Sequence, residues 1–251
     1  MRWILGWIVL CIVSAAQSQP VRMVDIDSGR YLPLFGITPP AAVEVDAFRI
    51  DATPVTHAQY LDFVNTSPEW RKSSIKRIFA DASYLNAWTD DATPPSALMA
   101  SPVTTVSWHA ASAYCSAQGK RLPTVDEWEY VAMADATRRD ARTDAGYNQA
   151  ILLSYETPRT YIKPVGQSTP NVWGVYDLHG VVWEWTLDFN SILITGESRG
   201  GGAESMLFCA SGAVGASDLM NYAAFMRYAF RSSVKASHTI NSLGFRCAQD
   251  L

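Results

Sequence analysis

Several functional classes are excluded by what the sequence does not contain. Its 251 residues hold no run of lysine or arginine, and 20 Lys+Arg stand against 24 Asp+Glu for a formal net charge of −4. Nucleic acids and anionic membranes are recognised through clustered cations, so no nucleic-acid partner is expected. The four histidines (His57, His109, His179, His238) include no His-x-x-x-His, and the four cysteines include no Cys-x-x-Cys. Local His chelation, zinc ribbons and thioredoxin-like redox centres therefore lack their residues. Fifteen Gly and 13 Pro are too few for a collagenous or low-complexity chain, and no repeat or long linker divides the sequence. With 48% hydrophobic and 18% charged residues it is not a disordered chain either. One domain with a substantial core is expected.

Only one long apolar run is present, from Trp3 to Val13, behind the short positive start Met1-Arg2 and ahead of the small residues Ser14-Ala15-Ala16. That order is the pattern of a secretory signal over residues 1–16, and it places the mature protein in the periplasm or outside the cell. The run is shorter than the ~20 residues that span a bilayer, so no transmembrane span is expected in the mature chain. Cys11 follows Leu10 inside the run, which disfavours a lipid-anchored cysteine; a retained N-terminal anchor is the other reading of the segment. Without the signal, Cys115, Cys209 and Cys247 remain. In an oxidising compartment an odd count implies one bridge and one single thiol, and three pairings are open.

Regular elements are short. Thr53 to Asn65 begins with a Pro turn and sets Tyr60, Phe63 and Val64 on one helical face. Ser107 to Gly119 has a capping Ser, an apolar face through Ala111, Tyr114 and Cys115, and a Gly stop. Thr124 and Glu127 stand at capping-box spacing ahead of a third helix that runs through Ala134. Strand-like pieces are confined to Val45–Ile50, Val181–Thr186 and Leu243–Cys247, with Gly, Pro, Asn and Ser between them. The pattern predicts an α+β domain of low secondary-structure content.

Five collinear blocks carry a family resemblance. The first is Thr53–Phe63. Ser101-Pro102-Val103 through Trp108 follows, with Tyr114-Cys115, Gly119-Lys120-Arg121-Leu122-Pro123-Thr124 and Glu127-Trp128-Glu129-Tyr130. The third is Pro164-Val165-Gly166 with Asn171-Val172-Trp173-Gly174-Val175-Tyr176-Asp177-Leu178-His179-Gly180 and Trp183-Glu184-Trp185-Thr186. Arg199-Gly200-Gly201 and then Arg231 with Leu243-Gly244-Phe245-Arg246-Cys247-Ala248 complete the set. From about residue 20 to 251 the chain resembles the formylglycine-generating-enzyme (sulfatase-modifying factor) family.

The resemblance implies an irregular α+β fold, distantly like C-type lectins, often with structural calcium. It implies a disulfide between Cys115 and Cys247, which leaves Cys209 alone. Enzymes of the family hold Cu(I) and the substrate cysteine with two thiols between the Arg-Gly-Gly block and the final Arg, as a soft ion requires. Here that interval contains only Cys209, and the expected thiol positions fall on Ala223 and Asp218; the small hydroxyl residue after Arg-Gly-Gly is Gly202. Copper chemistry is accordingly not expected. The calcium ligands implied by the family are Glu184 and, upstream, Asn148, although Val181 stands where the family has Asn. A hydrogen-bonded structural carboxylate is the preferred reading of Glu184. Trp185, Arg231 and Cys209 are the candidate substrate contacts. Trp173 and Trp183 compete with Trp185 for a groove, core packing being expected of at least two of the three. Arg246 is a staple or an anion contact, and Glu127 and Glu129 are read as capping and solvent-facing. Two functions fit: an exported maturation or oxidoreductase-type factor acting on a peptide or protein, or a non-catalytic binding module, such as an accessory or immunity protein, that holds another exported protein.

Overall fold

The computed structural model describes residues 21–33, 41–190 and 219–251. The signal-like segment 1–16, Arg199-Gly200-Gly201, Gly202, Cys209 and Asp218 lie outside the described residues. In chain order the elements are β1 (Met23–Ile26), β2 (Gly29–Tyr31), β3 (Val43–Val45), β4 (Phe48–Asp51), α1 (His57–Thr66), α2 (Trp108–Ala117), α3 (Val125–Ala132), α4 (Ala145–Glu156), β5 (Trp183–Glu184), α5 (Leu219–Ser233), β6 (Leu243–Gly244) and β7 (Ala248–Asp250). The class is α+β, with long irregular connections.

Helix starts follow side-chain chemistry. Thr56, not the Pro turn at 53–54, caps α1: its hydroxyl accepts from Gln59 N and the Gln59 side chain returns to Thr56 N. Ser107 caps α2 through Ala110 N, and Gly119, at φ +69°, supplies the left-handed residue after its end. Thr124 and Glu127 form the expected reciprocal box on α3 (3.1 and 2.8 Å).

The strand expected over Val45–Ile50 is divided. Val45 ends β3, which pairs antiparallel with β2, whereas Phe48–Asp51 enters a separate antiparallel sheet of order β1-β4-β7. A kink between the two segments lets Val45, Phe48 and Ile50 all bury. The parallel pair β5–β6 aligns Trp183 with Leu243 and Glu184 with Gly244, bringing two distant family blocks side by side.

Two apolar clusters flank these strands. One packs Tyr60, Phe63, Trp88, Tyr114, Trp185 and Phe245 around the disulfide Cys115–Cys247, whose Cα atoms are 5.6 Å apart. The second packs Ile26, Phe48, Ile50, Trp128, Val131 and Leu178. Arg246, wholly buried, joins them: it donates to the carbonyls of Asp51 (3.1 Å) and Tyr176 (2.9 Å) and to both oxygens of Glu184 (2.7 Å each). Irregular backbone leaves carbonyls that no strand satisfies, and a guanidinium with five donors can close several of them.

Candidate functional site

The capping box of α3 fixes how that helix enters the core. It turns Trp128 and Glu129 inward, and Glu129 is 7% exposed. Arg227 and Arg231 lie one turn apart on α5, so they share a face. Both reach Glu129: Arg227 through Nε (2.9 Å) and Nη2 (2.7 Å), Arg231 through Nη1 (2.6 Å). Burial drives the Glu129 carboxyl up, but the two guanidinium groups outweigh it and hold it at about 2. Glu129 is thus a permanent anion. Arg227 also approaches the Tyr155 hydroxyl (3.4 Å), and Arg231 lies 5.0 Å over the Trp128 ring.

Alternation along β5 divides its side chains. Glu184 faces in, where Trp128 Nε1 donates to it (2.8 Å) beside Arg246. Trp183 faces out and stacks between Phe230 (centroids 4.7 Å, 17°) and Tyr155 (4.8 Å, 31°). These three rings wall a cleft of about 180 Å³ whose floor is Arg227 and Arg231, with Arg159 and Thr160 at its rim. Gly180 forms one edge: its φ is +87° and a Cβ there would fall 2.6 Å from Ser154 Cβ, so only glycine lets this loop lie against α4.

The sequence-derived candidates separate accordingly. Arg231 lines the cleft, though as a buried ion-pair partner. Trp185 does not; it is 1% exposed, donates to the Val106 carbonyl (2.9 Å) and packs on Phe189. Alternation alone would put Trp183 and Trp185 on one face, but β5 ends at Glu184 and Trp185 lies beyond it, in the core. Trp173 lies under Arg139 (4.2 Å), away from the site. Cys209 lies outside the described residues. Glu129 is not solvent-facing, and Glu127, besides capping, binds Arg121 (2.7 and 2.6 Å).

Glu184 does not suit calcium. Its oxygens accept three hydrogen bonds, two of them from a guanidinium at 2.7 Å that neutralises the charge a divalent ion needs. Asn148 is buried, its Nδ2 donating to the carbonyls of Arg142 (2.6 Å) and Asp144 (2.9 Å) in the turn that leads into α4, a role in fixing the start of that helix. Among the described residues no three His, Cys, Asp or Glu side chains are grouped to hold a metal ion, and no helix is long and apolar enough to cross a membrane. For Cu(I) the thiols fall short, since Cys115 and Cys247 are bonded to each other.

Sequence reasoning missed Glu129, Arg227, Tyr155 and Phe230. A readable signal existed for part of this: Arg227 and Arg231 at i, i+4 within an aromatic-rich stretch mark a helix that presents two cations together.

Known proteins share this architecture. Bovine (Bos taurus) formylglycine-generating enzyme is 28% identical over 289 aligned residues, covering 93% of this chain and 76% of that protein. The Streptomyces coelicolor formylglycine-generating enzyme is 29% identical, covering 88% and 84%. Bovine inactive C-alpha-formylglycine-generating enzyme 2 is 30% identical over 67% of this chain and 71% of its own length. In fold, PvdO from Pseudomonas aeruginosa superposes with a TM-score of 0.51 at 19% identity, covering 91% of this chain and 94% of its own. The sulfatase-modifying factor enzyme 1-like domain matches residues 12–251, and the chain therefore belongs to the formylglycine-generating-enzyme (sulfatase-modifying factor) family.

Proposed function

We propose that the protein is an exported, non-catalytic member of this family, an accessory-type factor that grips a peptide or protein segment in the cleft between β5, α4 and α5. The observation that carries this reading is the Cys115–Cys247 bridge: it consumes two thiols, and by count only Cys209 remains beyond the signal-like segment. One thiol cannot supply the two-thiolate set that soft Cu(I) requires. Export is supported by the same bridge, since such bonds persist in oxidising compartments, and by the apolar run at residues 3–13. The cleft contributes a gripping surface of three rings and two arginines. Its carboxylates, Glu129 and Glu184, are both held by guanidinium groups. Glu129, held at about 2, has no proton to exchange near neutral pH.

The second reading, an oxidative maturation factor acting on a peptide, draws support from the similarity to the Streptomyces enzyme across most of the chain. One experiment separates the two. The mature protein is incubated with Cu(I) and a Cys-x-Pro-x-Arg peptide, and the peptide is followed by mass spectrometry. The thiol should survive; conversion to formylglycine would overturn the binding-module reading. In parallel, Trp183→Ala should abolish binding of dye-labelled random hexapeptide pools measured by anisotropy while leaving the unfolding midpoint close to that of the parent.

A further inference from the structure

Building on the reading of the cleft as the binding site, we propose that its occupant is an acidic peptide segment, with a carboxylate on the arginine floor and an adjacent aromatic or apolar side chain on the ring wall.

The charge at the cleft is opposite to that of the chain as a whole. The protein carries a formal net charge of −4. At the cleft, four guanidinium groups face two carboxylates: Arg159, Arg227 and Arg231 belong to the lining, as does Glu184, while Arg246 lies behind Glu184 and Glu129 beneath the arginines. Arg246 and Glu184 cancel. The single charge of Glu129 is divided between Arg227 and Arg231, both more than nine-tenths buried (7% and 5% exposed). Asp188, which also acts on Arg231, forms no ion pair with it, so the floor holds two guanidinium groups on one paired carboxylate. Arg159 adds a further positive charge at the exposed rim and has no ion pair among the described residues.

The hydrogen-bond inventory points the same way. Arg227 distributes its donors over Glu129, Tyr155 and the Ala223 carbonyl. Arg231 places only Nη1, on Glu129; its Nε and Nη2 have no hydrogen-bond partner among the described residues. Arg231 lines the cleft with these donors unused, and a carboxylate is the group whose geometry matches a guanidinium edge. The rings beside them can cover an apolar neighbour of that carboxylate. A segment with arginine, such as Cys-x-Pro-x-Arg, would instead bring a cation onto a net-positive floor. Recognition should favour Glu or Asp and disfavour Arg at the same place.

The test uses the whole mature protein and three dye-labelled, amidated hexapeptide pools, randomised over neutral residues at four positions with Phe-Glu, Phe-Gln or Phe-Arg at the centre. The Glu pool should bind about tenfold or more tightly than the Gln pool, as expected for a charge-assisted hydrogen bond, and the Arg pool most weakly. The preference should shrink with salt. Arg159→Asn, which removes the rim charge at an exposed position whose φ of +54° Asn tolerates, should weaken the Glu pool several-fold and leave the Gln pool unchanged. Equal binding of the Glu and Gln pools, or tightest binding of the Arg pool, overturns the acidic preference while the cleft reading stands, provided Trp183→Ala still abolishes binding. Binding that is insensitive to Trp183→Ala, or no binding by any pool, overturns both.

Discussion

Removing Glu184 should destabilise the protein through the charge it leaves behind, and this can be worked out bond by bond. In the native chain Arg246 is fully buried and places Nε and Nη2 on Glu184 at 2.7 Å, with further bonds to the carbonyls of Asp51 and Tyr176. Glu184→Ala strands a guanidinium in the interior, which costs about 3–5 kcal/mol. Arg246→Met strands the carboxylate at a similar cost and also orphans two carbonyls at about 1–3 kcal/mol each. That total reaches the whole stability of an ordinary domain, about 5–15 kcal/mol, so this variant should be the poorest folder. The double variant Glu184→Leu/Arg246→Met removes both charges and retains only the carbonyl loss, about 2–6 kcal/mol by the same accounting. The sum of the single effects should therefore exceed the double by roughly 3 kcal/mol or more. Urea unfolding followed by tryptophan fluorescence suits a chain with nine Trp. Glu184→Gln, which keeps shape and loses charge, extends the series if Arg246→Met does not fold. Additive effects would refute the pairing argument, and a wild-type midpoint lowered by chelator but insensitive to it in Glu184→Gln would restore Glu184 as a calcium ligand.

Three other outcomes follow from the same structure. Trp185→Ala should cost about 3–5 kcal/mol because it opens a cavity in a sealed cluster, whereas Trp183→Ala, at a partly open wall, should cost much less; the reverse order in denaturant titrations would contradict the assignment of core and cleft. Replacing Cys115 and Cys247 together by Ala should lower stability by up to about 5 kcal/mol, the chain-entropy value for a separation of 132 residues, and native protein should resist dithiothreitol because both cysteines are fully buried. Stability should also fall with acid. His57 is buried, accepts a hydrogen bond from Trp88 Nε1 at Nδ1 (2.9 Å) and is depressed by burial to about 4. The unfolded chain, titrating near 6.5, takes up the proton first, so the stabilisation is full above that pH and is lost as the pH falls toward 4. His57 should contribute about 2 kcal/mol of loss between pH 7 and pH 5 and His179, also depressed by burial to about 4, a similar share; a flat midpoint over that range would count against neutral buried histidines at both positions.

How much of this was legible depends on the range of the interaction. The caps at Ser107 and Thr124 and the Gly119 stop are local chemistry, visible within four residues, and each stands where the sequence put it. The division of Val45–Ile50 between two sheets was not legible, because the alternating residues bury equally well on either side of the kink. α4 escaped for a related reason: its Ala145–Glu156 sequence has no marked apolar stripe, and its start depends on Asp144, whose side chain accepts from Tyr147 N. At the site, spacing could not rank Trp183 against Trp185, since residues two apart share one face of a strand and only the end of β5 at Glu184 separates the two. Glu129 could be assigned only once α5 was known to bring two arginines 98 and 102 residues onward back to it.

The position of Ala223 bears on whether the family's reaction could be restored by returning its thiols. One expected thiol position falls here, and the residue is 2% exposed on α5. Its carbonyl accepts from Arg227 Nη1 (3.2 Å), and its side chain borders a small cavity of about 20 Å³ with Tyr31, Tyr147 and Tyr228 rather than the cleft. A thiol placed there would lie behind the arginine that floors the cleft. Its thiolate would also be poorly solvated in that closed space, which raises the thiol pKa and opposes Cu(I) ligation. Ala223→Cys should therefore produce no formylglycine from a Cys-x-Pro-x-Arg peptide with Cu(I), and no change in the copper bound per chain. It should cost about 1–3 kcal/mol in stability from the added sulfur. Copper uptake by Ala223→Cys that is lost in Ala223→Cys/Cys209→Ser would show that the two positions meet, and would return this helix to the family's reaction path.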